Sequence, residues 1–234
     1  EVMMKIIFFF LLISNQIFTQ SKNPEEILRN VVDNFNKVKD YTAEISIKVN
    51  VEFIKVPESK AKIFFKQPDK VHLKSDGFAM LPKNGMEFSP TSLINTKHTA
   101  IYENDVLLNG IKTSIVKIIP LGNEGDVIFS TLWIEQAKQV IRKVESTTKT
   151  NGIFVIDFSY SDDFKYPLPE EIVFSFNTDK MNIPLNSNED LTPEKPKKKN
   201  GKPDGITKGR VIVKYSNYEV NKGIPDSVFE KKNQ

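Results

Sequence analysis

Residues able to do acid–base, nucleophilic or metal chemistry are few in this chain and poorly grouped. Among 234 residues there is no Cys and there are two His. That removes thiol nucleophiles, disulfides, Cys-ligated zinc or iron–sulfur centres and acylated-Cys anchors, and with them any His-rich metal site. His72 stands between Lys70 and Lys74, and His98 opens a later strand-like segment. Without spaced carboxylates the two read as solvated strand positions, not a metal pair. Asp162-Asp163 could share acid–base work only if buried, and the charged stretch around them does not bury them. No Gly-x-Ser-x-Gly, Gly-rich phosphate loop or His-Glu-x-x-His occurs. The expectation is a protein with no catalytic residue, no metal and no cofactor, hence not an enzyme. What these residue types do offer is apolar surface, including 17 Phe. Each acyl CH2 withdrawn from water onto such surface gains about 0.8 kcal/mol, so a fatty chain needs only a greasy slot.

Charge narrows the partners. Lys and Arg total 33 against 30 Asp and Glu, a net +3, which argues against a dedicated nucleic-acid binder. The length fits one globular domain with a sizeable core. Residues 1–20 differ from the rest: Lys5 precedes the run Ile6-Ile7-Phe8-Phe9-Phe10-Leu11-Leu12-Ile13, and Ser14-Asn15-Gln16 follows. That order reads as a secretory signal peptide, too short to span a bilayer. It predicts export to a periplasm, with residues 21–234 as the mature domain.

The elements that would present the apolar surface follow from periodicity. Asn23-Pro24-Glu25-Glu26 is a helix start, with a capping Asn, Pro in the first turn and acids at the positive end of the dipole. Ile27, Val31 and Phe35 then recur every four residues, predicting an amphipathic helix that ends near Asp40. Beyond it the period falls to two. Ala43, Ile45, Ile47, Val49, Val51 and Phe53 alternate with polar residues, the pattern of an antiparallel strand with one wet face. Ala61, Ile63 and Phe65, then Val71 and Leu73, continue it. Further strands are expected near 98–103, 105–109, 112–119, 126–135, 139–148, 153–160, 171–177 and 209–219, with Asn151-Gly152 as a hairpin turn. Residues 76–95 are irregular but greasy, and 181–208 reads as a disordered Lys/Pro-rich loop. Solvated linker is its default reading, contact with anionic lipid heads the sharper one. About ten antiparallel strands must curl, and one four-turn helix cannot cover them all. Either the sheet closes on itself, or the remaining concavity is filled by 76–95 and a ligand.

The order of short motifs resembles the LolA-like family of periplasmic lipoprotein carriers, whose relatives include LolB and RseB. Tyr41-Thr42-Ala43-Glu44-Ile45 is similar to the family's first strand. Ala61-Lys62-Ile63-Phe64-Phe65-Lys66-Gln67-Pro68 and the return through Val71 resemble its second strand and Lys-x-Pro turn. Trp133-Ile134-Glu135 and Gly223-Ile224-Pro225-Asp226 resemble later landmarks. The resemblance implies an α+β fold, an incomplete antiparallel barrel of about ten strands covered by the N-terminal helix and a short helical or loop lid. It also implies a monomer that shields acyl chains of a lipoprotein or lipid between an inner-membrane donor complex and an outer-membrane acceptor. The alternative is an RseB-type lipid sensor or adaptor acting through protein contact. Expected lipid-binding residues are Ile27, Val31, Phe35, Ile47, Val49, Val51, Phe53, Ile63 and Phe65, with Phe78, Met80 and Leu81 as a lid. Taken singly, each reads better as ordinary core; the functional reading concerns the set. One departure stands out: Gln67 occupies the turn position where the family's carriers typically place an Arg, and an amide supplies no fixed charge.

Overall fold

The computed structural model describes residues 22–51, 54–55, 57–75, 94–122, 125–163, 165–177 and 208–230. Among the described residues the single long helix, α1 (Pro24–Phe35), begins as the sequence predicts: the Asn23 side chain accepts the Glu25 N–H at 3.0 Å, Pro24 fills the first turn, and Glu25 and Glu26 sit at the positive dipole end. It stops at Phe35 rather than near Asp40. The next residues are claimed by tertiary hydrogen bonds: Lys39 N–H donates to Asn221 Oδ1 at 2.7 Å, and the buried Asp40 carboxylate accepts from Lys222 and Gly223 N–H. Twelve residues make a helix only about 18 Å long, shorter than periodicity alone suggested.

Eleven strands follow among the described residues: β1 (Asp40–Val51), β2 (Ile54–Lys55), β3 (Ser59–Lys66), β4 (Lys70–Lys74), β5 (His98–Leu108), β6 (Ile111–Pro120), β7 (Val127–Glu135), β8 (Val140–Thr148), β9 (Ile153–Ser159), β10 (Glu171–Asn177) and β11 (Lys208–Val220). Ten form one antiparallel sheet in the order β4-β3-β1-β11-β10-β9-β8-β7-β6-β5, and β2 pairs the end of β1. The edges β4 and β5 do not pair with each other, so the sheet is open, as an incomplete barrel is. The expected strands 98–103 and 105–109 are one strand, β5, with a register shift between Tyr102 and Asn104. Such a bulge is how an exposed edge is commonly blunted. The expected Asn151-Gly152 turn joins β8 to β9, with Gly152 at φ +72°.

The sheet bends around α1. Leu28 and Val31 pack into Val116 and Ile118 of β6, Leu132 and Ile134 of β7, Ile141 and Val144 of β8, and Ile156 and Phe158 of β9. One turn later Phe35, together with Val38, packs on Phe65 of β3 and Leu168. A helix 18 Å long touches both halves of a ten-stranded sheet only if that sheet is strongly curved. A third cluster, Ala43, Ile45, Ile47, Val51, Ala61, Ile63, Phe176, Val211 and Val213, lies on the inner face of β1, β3, β10 and β11, away from Leu28 and Val31.

Candidate functional site

Registers place the inner side chains in cross-strand rows. One row runs Ile156, Phe174, Val211, Val49 from β9 to β1; the next runs Phe158, Ile172, Val213, Ile47. A third aligns Phe154, Phe176 and Gly209. A Cβ on Gly209 would collide with the Phe176 ring, so the glycine gives that ring its place over the backbone. The rings of Phe154 and Phe174 lie 5.4 Å apart, and those of Phe174 and Phe176 5.3 Å.

Coverage differs between the two halves of this face. Under α1 the lining is closed: Val116, Leu132 and Val144 are each 0% exposed. On β9–β11, β1 and β4 the inner residues Phe154, Ile172, Phe174, Tyr215, Tyr218, Tyr41, Val49, Val71 and Leu73 are only part-buried, although they pack on the same clusters. The apolar wall therefore extends beyond the helix.

The residues expected to bind lipid divide between these regions. Ile47, Val51 and Ile63 are buried together, with Val49 half-buried against them. Val31 is buried, and Ile27 packs beside it, in the cluster under the helix. Phe35 and Phe65 meet edge-to-face, ring centroids 5.7 Å apart. Phe53, Phe78, Met80 and Leu81, the segment 1–20 expected to be a signal peptide and residues 181–207 of the expected Lys/Pro-rich loop lie outside the described residues. Sequence reasoning passed over the aromatics of β9–β11. Their signal was available in the alternation of Phe154, Ile156, Phe158 and Tyr160, and of Ile172, Phe174 and Phe176.

Polar groups fasten α1 to the wall. Lys22, just before the helix, pairs with Asp105 of β5 at 2.6 Å. Partial burial pushes the Asp105 carboxyl up, but hydrogen bonds from Lys22, Ser114, Tyr102 and Gln136 outweigh it and hold it down at about 2. His98 is a correction: its side chain is 9% exposed, with Nδ1 2.7 Å from the Thr96 carbonyl and Nε2 3.7 Å from Glu25 of the helix. It is a packing residue of the helix–β5 junction, not a solvated one. His72 lies beside Phe64 with ring centroids 5.9 Å apart, far from that junction in the strand order. At the other end of α1, Asn34 donates to the Lys138 carbonyl at 2.9 Å. The Gln67 amide donates to the Val38 carbonyl at 3.2 Å, tying the β3–β4 turn to the residues after α1. Glu135 and Arg142 form a buried pair at 2.6 Å, and the guanidinium lies 5.0 Å from the Tyr160 ring centroid. Asp162 is exposed and paired with Lys138.

Among the described residues no group of three His, Asp or Glu side chains could hold a metal ion, and no helix is long and apolar enough to cross a membrane. A groove of about 1330 Å3 crosses the strands on the opposite, outer face, where Lys60, Lys62 and Lys214 alternate with Glu44, Glu58 and Glu171.

An open, curved antiparallel wall with a partly covered apolar inner face defines the class: a half-barrel. Solved structures share it. A DUF1329 family protein from Desulfovibrio piger superposes with a TM-score of 0.57 at 12% identity, over 89% of this chain and 98% of that one. A Vibrio parahaemolyticus domain assigned to outer membrane lipoprotein sorting gives 0.58 at 10%, over 88% and 97%. A LolA superfamily protein from Nitrosomonas europaea gives 0.54 at 8%, over 91% and 100%. The chain has a LolA-like fold. No family model matches the sequence, and no curated protein matches it by sequence.

Proposed function

We propose that this chain is a periplasmic carrier that shields the acyl chains of a lipoprotein or lipid during transfer toward the outer membrane. The observation that carries the reading is the uneven cover of the inner face. Phe174, Val49, Val71 and Leu73 remain accessible on a wall whose other half is closed by Leu28 and Val31. Burying a chain of a dozen carbons on such surface yields roughly 10 kcal/mol before ordering costs, at about 0.8 per CH2. That is ample for reversible binding without a catalytic group. The likeness to a lipoprotein-sorting domain and a LolA superfamily protein supports the same reading.

The test is uptake. Val49→Glu and Leu73→Glu place a charge on the accessible wall without emptying the closed core. Each is expected to abolish acyl-chain binding while secretion and folding persist; unchanged lipid content in both variants refutes the carrier.

A second reading, an adaptor that uses the hollow to regulate protein contact, is favoured by one surface feature. Ile101, Ile119, Leu121 and Ile128 are 44%, 37%, 60% and 46% exposed, and the registers put them toward the same end of β5–β7. A stable protein partner, captured in preference to lipid and lost on Leu121→Asp, would favour the adaptor over the carrier.

A further inference from the structure

The hairpin at one edge of the sheet concentrates like charge on its outer face. In β3 and β4 the register sets Lys62 opposite Lys74, Phe64 opposite His72 and Lys66 opposite Lys70. Lys60 shares that face, because the alternate positions Ala61, Ile63 and Phe65 are buried inward, the last two opposite Leu73 and Val71. Five lysines thus flank one aromatic pair. The Phe64 and His72 ring centroids are 5.9 Å apart, and the Lys62 ammonium lies 5.7 Å from the Phe64 ring. Like charges directly opposite one another in a sheet are destabilising. Lysine on an exposed edge strand guards against edge-to-edge pairing, which accounts for Lys70 and Lys74 of β4. It does not account for Lys60, Lys62 and Lys66, because β3 is paired on both sides.

Counter-charge from the rest of the molecule is incomplete. Asp226 serves both Lys66 and Lys70, at 2.8 and 3.1 Å, and Glu219 lies 3.9 Å from Lys62. Glu44 of β1 also stands opposite Lys62, but its carboxylate accepts from Asn217, and Glu58 accepts from Ser46. Among the described residues Lys60 and Lys74 make no ion pair, and β4 carries no acid. All five cations are Lys and none is Arg. A guanidinium recognises one carboxylate or phosphate through its fork, whereas ammonium groups are point charges on flexible stems. A row of them suits a spread of anions better than a single docked acidic group. The half-buried Phe64 ring gives those stems an apolar surface to lie along while their heads reach outward.

We infer that the outer face of the β3–β4 hairpin docks on a bilayer surface of anionic phospholipid, with Lys60, Lys62 and Lys74 as its principal contacts. The inference goes beyond the carrier reading, since these charges hold an anionic surface whether or not the inner wall holds a chain. It sets the membrane against the edge strand whose other face carries the part-buried Val71 and Leu73. An acyl chain moving between bilayer and wall then has a single strand to pass.

The experiment is flotation of the protein, purified from producing cells, with vesicles of phosphatidylglycerol and phosphatidylcholine in equal parts, or of phosphatidylcholine alone. The wild type is expected to float with the anionic vesicles only, and to be released as added salt screens the contact. One lysine near an anionic surface strengthens binding about five-fold. Lys60→Gln and Lys74→Gln therefore each lower the partition coefficient by about that factor, and Asp226→Asn raises it by a similar one. Lys112→Gln, toward the other edge of the sheet, leaves it unchanged. Because Lys74→Gln removes a like-charge contact with Lys62, it does not lower Tm. Equal flotation with both kinds of vesicle, flotation with neither, or wild-type flotation of the Lys60→Gln, Lys74→Gln double variant overturns the docking face. Capture of polyglutamate but not of vesicles, lost in the same double variant, assigns the face to an acidic protein and overturns the lipid surface. None of these outcomes alters the acyl content of the purified protein, which tests the carrier separately.

Discussion

Leu132 and Phe174 face the same interior from different halves of the wall, and truncating each should cost very different amounts. Leu132 is 0% exposed and enclosed by β6, β8 and α1 side chains. Leu132→Ala leaves a closed cavity, so both transfer and cavity terms apply, about 2–5 kcal/mol. Phe174 is the larger side chain, and in a filled core Phe→Ala costs about 3–5 kcal/mol. Here its ring rests on Phe154 and Phe176 while part of it faces open space. Truncation at this partly exposed position leaves no enclosed void, and the loss should stay below about 2 kcal/mol. Urea unfolding of delipidated protein measures both losses, with unchanged m-values as the control. The order Leu132→Ala worse than Phe174→Ala supports an uneven interior. The reverse order would mean that the Phe174 ring is enclosed on every side and that the hollow is wrongly placed.

Other expectations follow from the polar contacts. The Asp105 carboxyl is held below its ordinary value, so its contribution is complete above about pH 5 and fades as pH falls through the ordinary carboxylate range toward 2. The difference in urea midpoint between wild type and Asp105→Asn should therefore shrink over that window; a constant difference would count against the latch. Arg142→Ala strands the buried Glu135 and should cost about 3–5 kcal/mol, whereas Glu135→Gln with Arg142→Met recovers most of it in the same assay. Gly209→Ala drives a methyl into the Phe176 ring and should cost about 1–3 kcal/mol. Adding Phe176→Leu should restore part of that loss in a thermal melt, and strict additivity would show that the two sites do not touch.

Much of this arrangement was legible in the sequence because a half-buried antiparallel sheet writes its faces as alternation. Ala43 through Val51 reads directly as inner and outer positions, and the cap at Asn23 marks the helix start. The helix end was not legible, since Asn221 and Gly223, some 180 residues away, compete for the backbone and carboxylate at Lys39 and Asp40. His98 was misread because its partner Glu25 comes from the helix, and no local pattern reports a contact across the fold. The lining was half legible. Periodicity identifies which residues point inward but not which of them stay accessible: Ile47 and Ile63, expected to line the space, are buried. Phe154 and Phe174, by the same pattern, remain partly open. Which inward-facing residues stay accessible depends on the strand order, which brings β11 beside β1 and leaves that half of the wall away from Leu28 and Val31.

Native mass spectrometry of protein purified directly from producing cells, followed by lipid extraction, tests the account most directly. The account predicts a discrete mass increment that releases acyl-bearing species and that falls in Val49→Glu. A homogeneous unliganded mass, unchanged after incubation with acyl lipids, would contradict it.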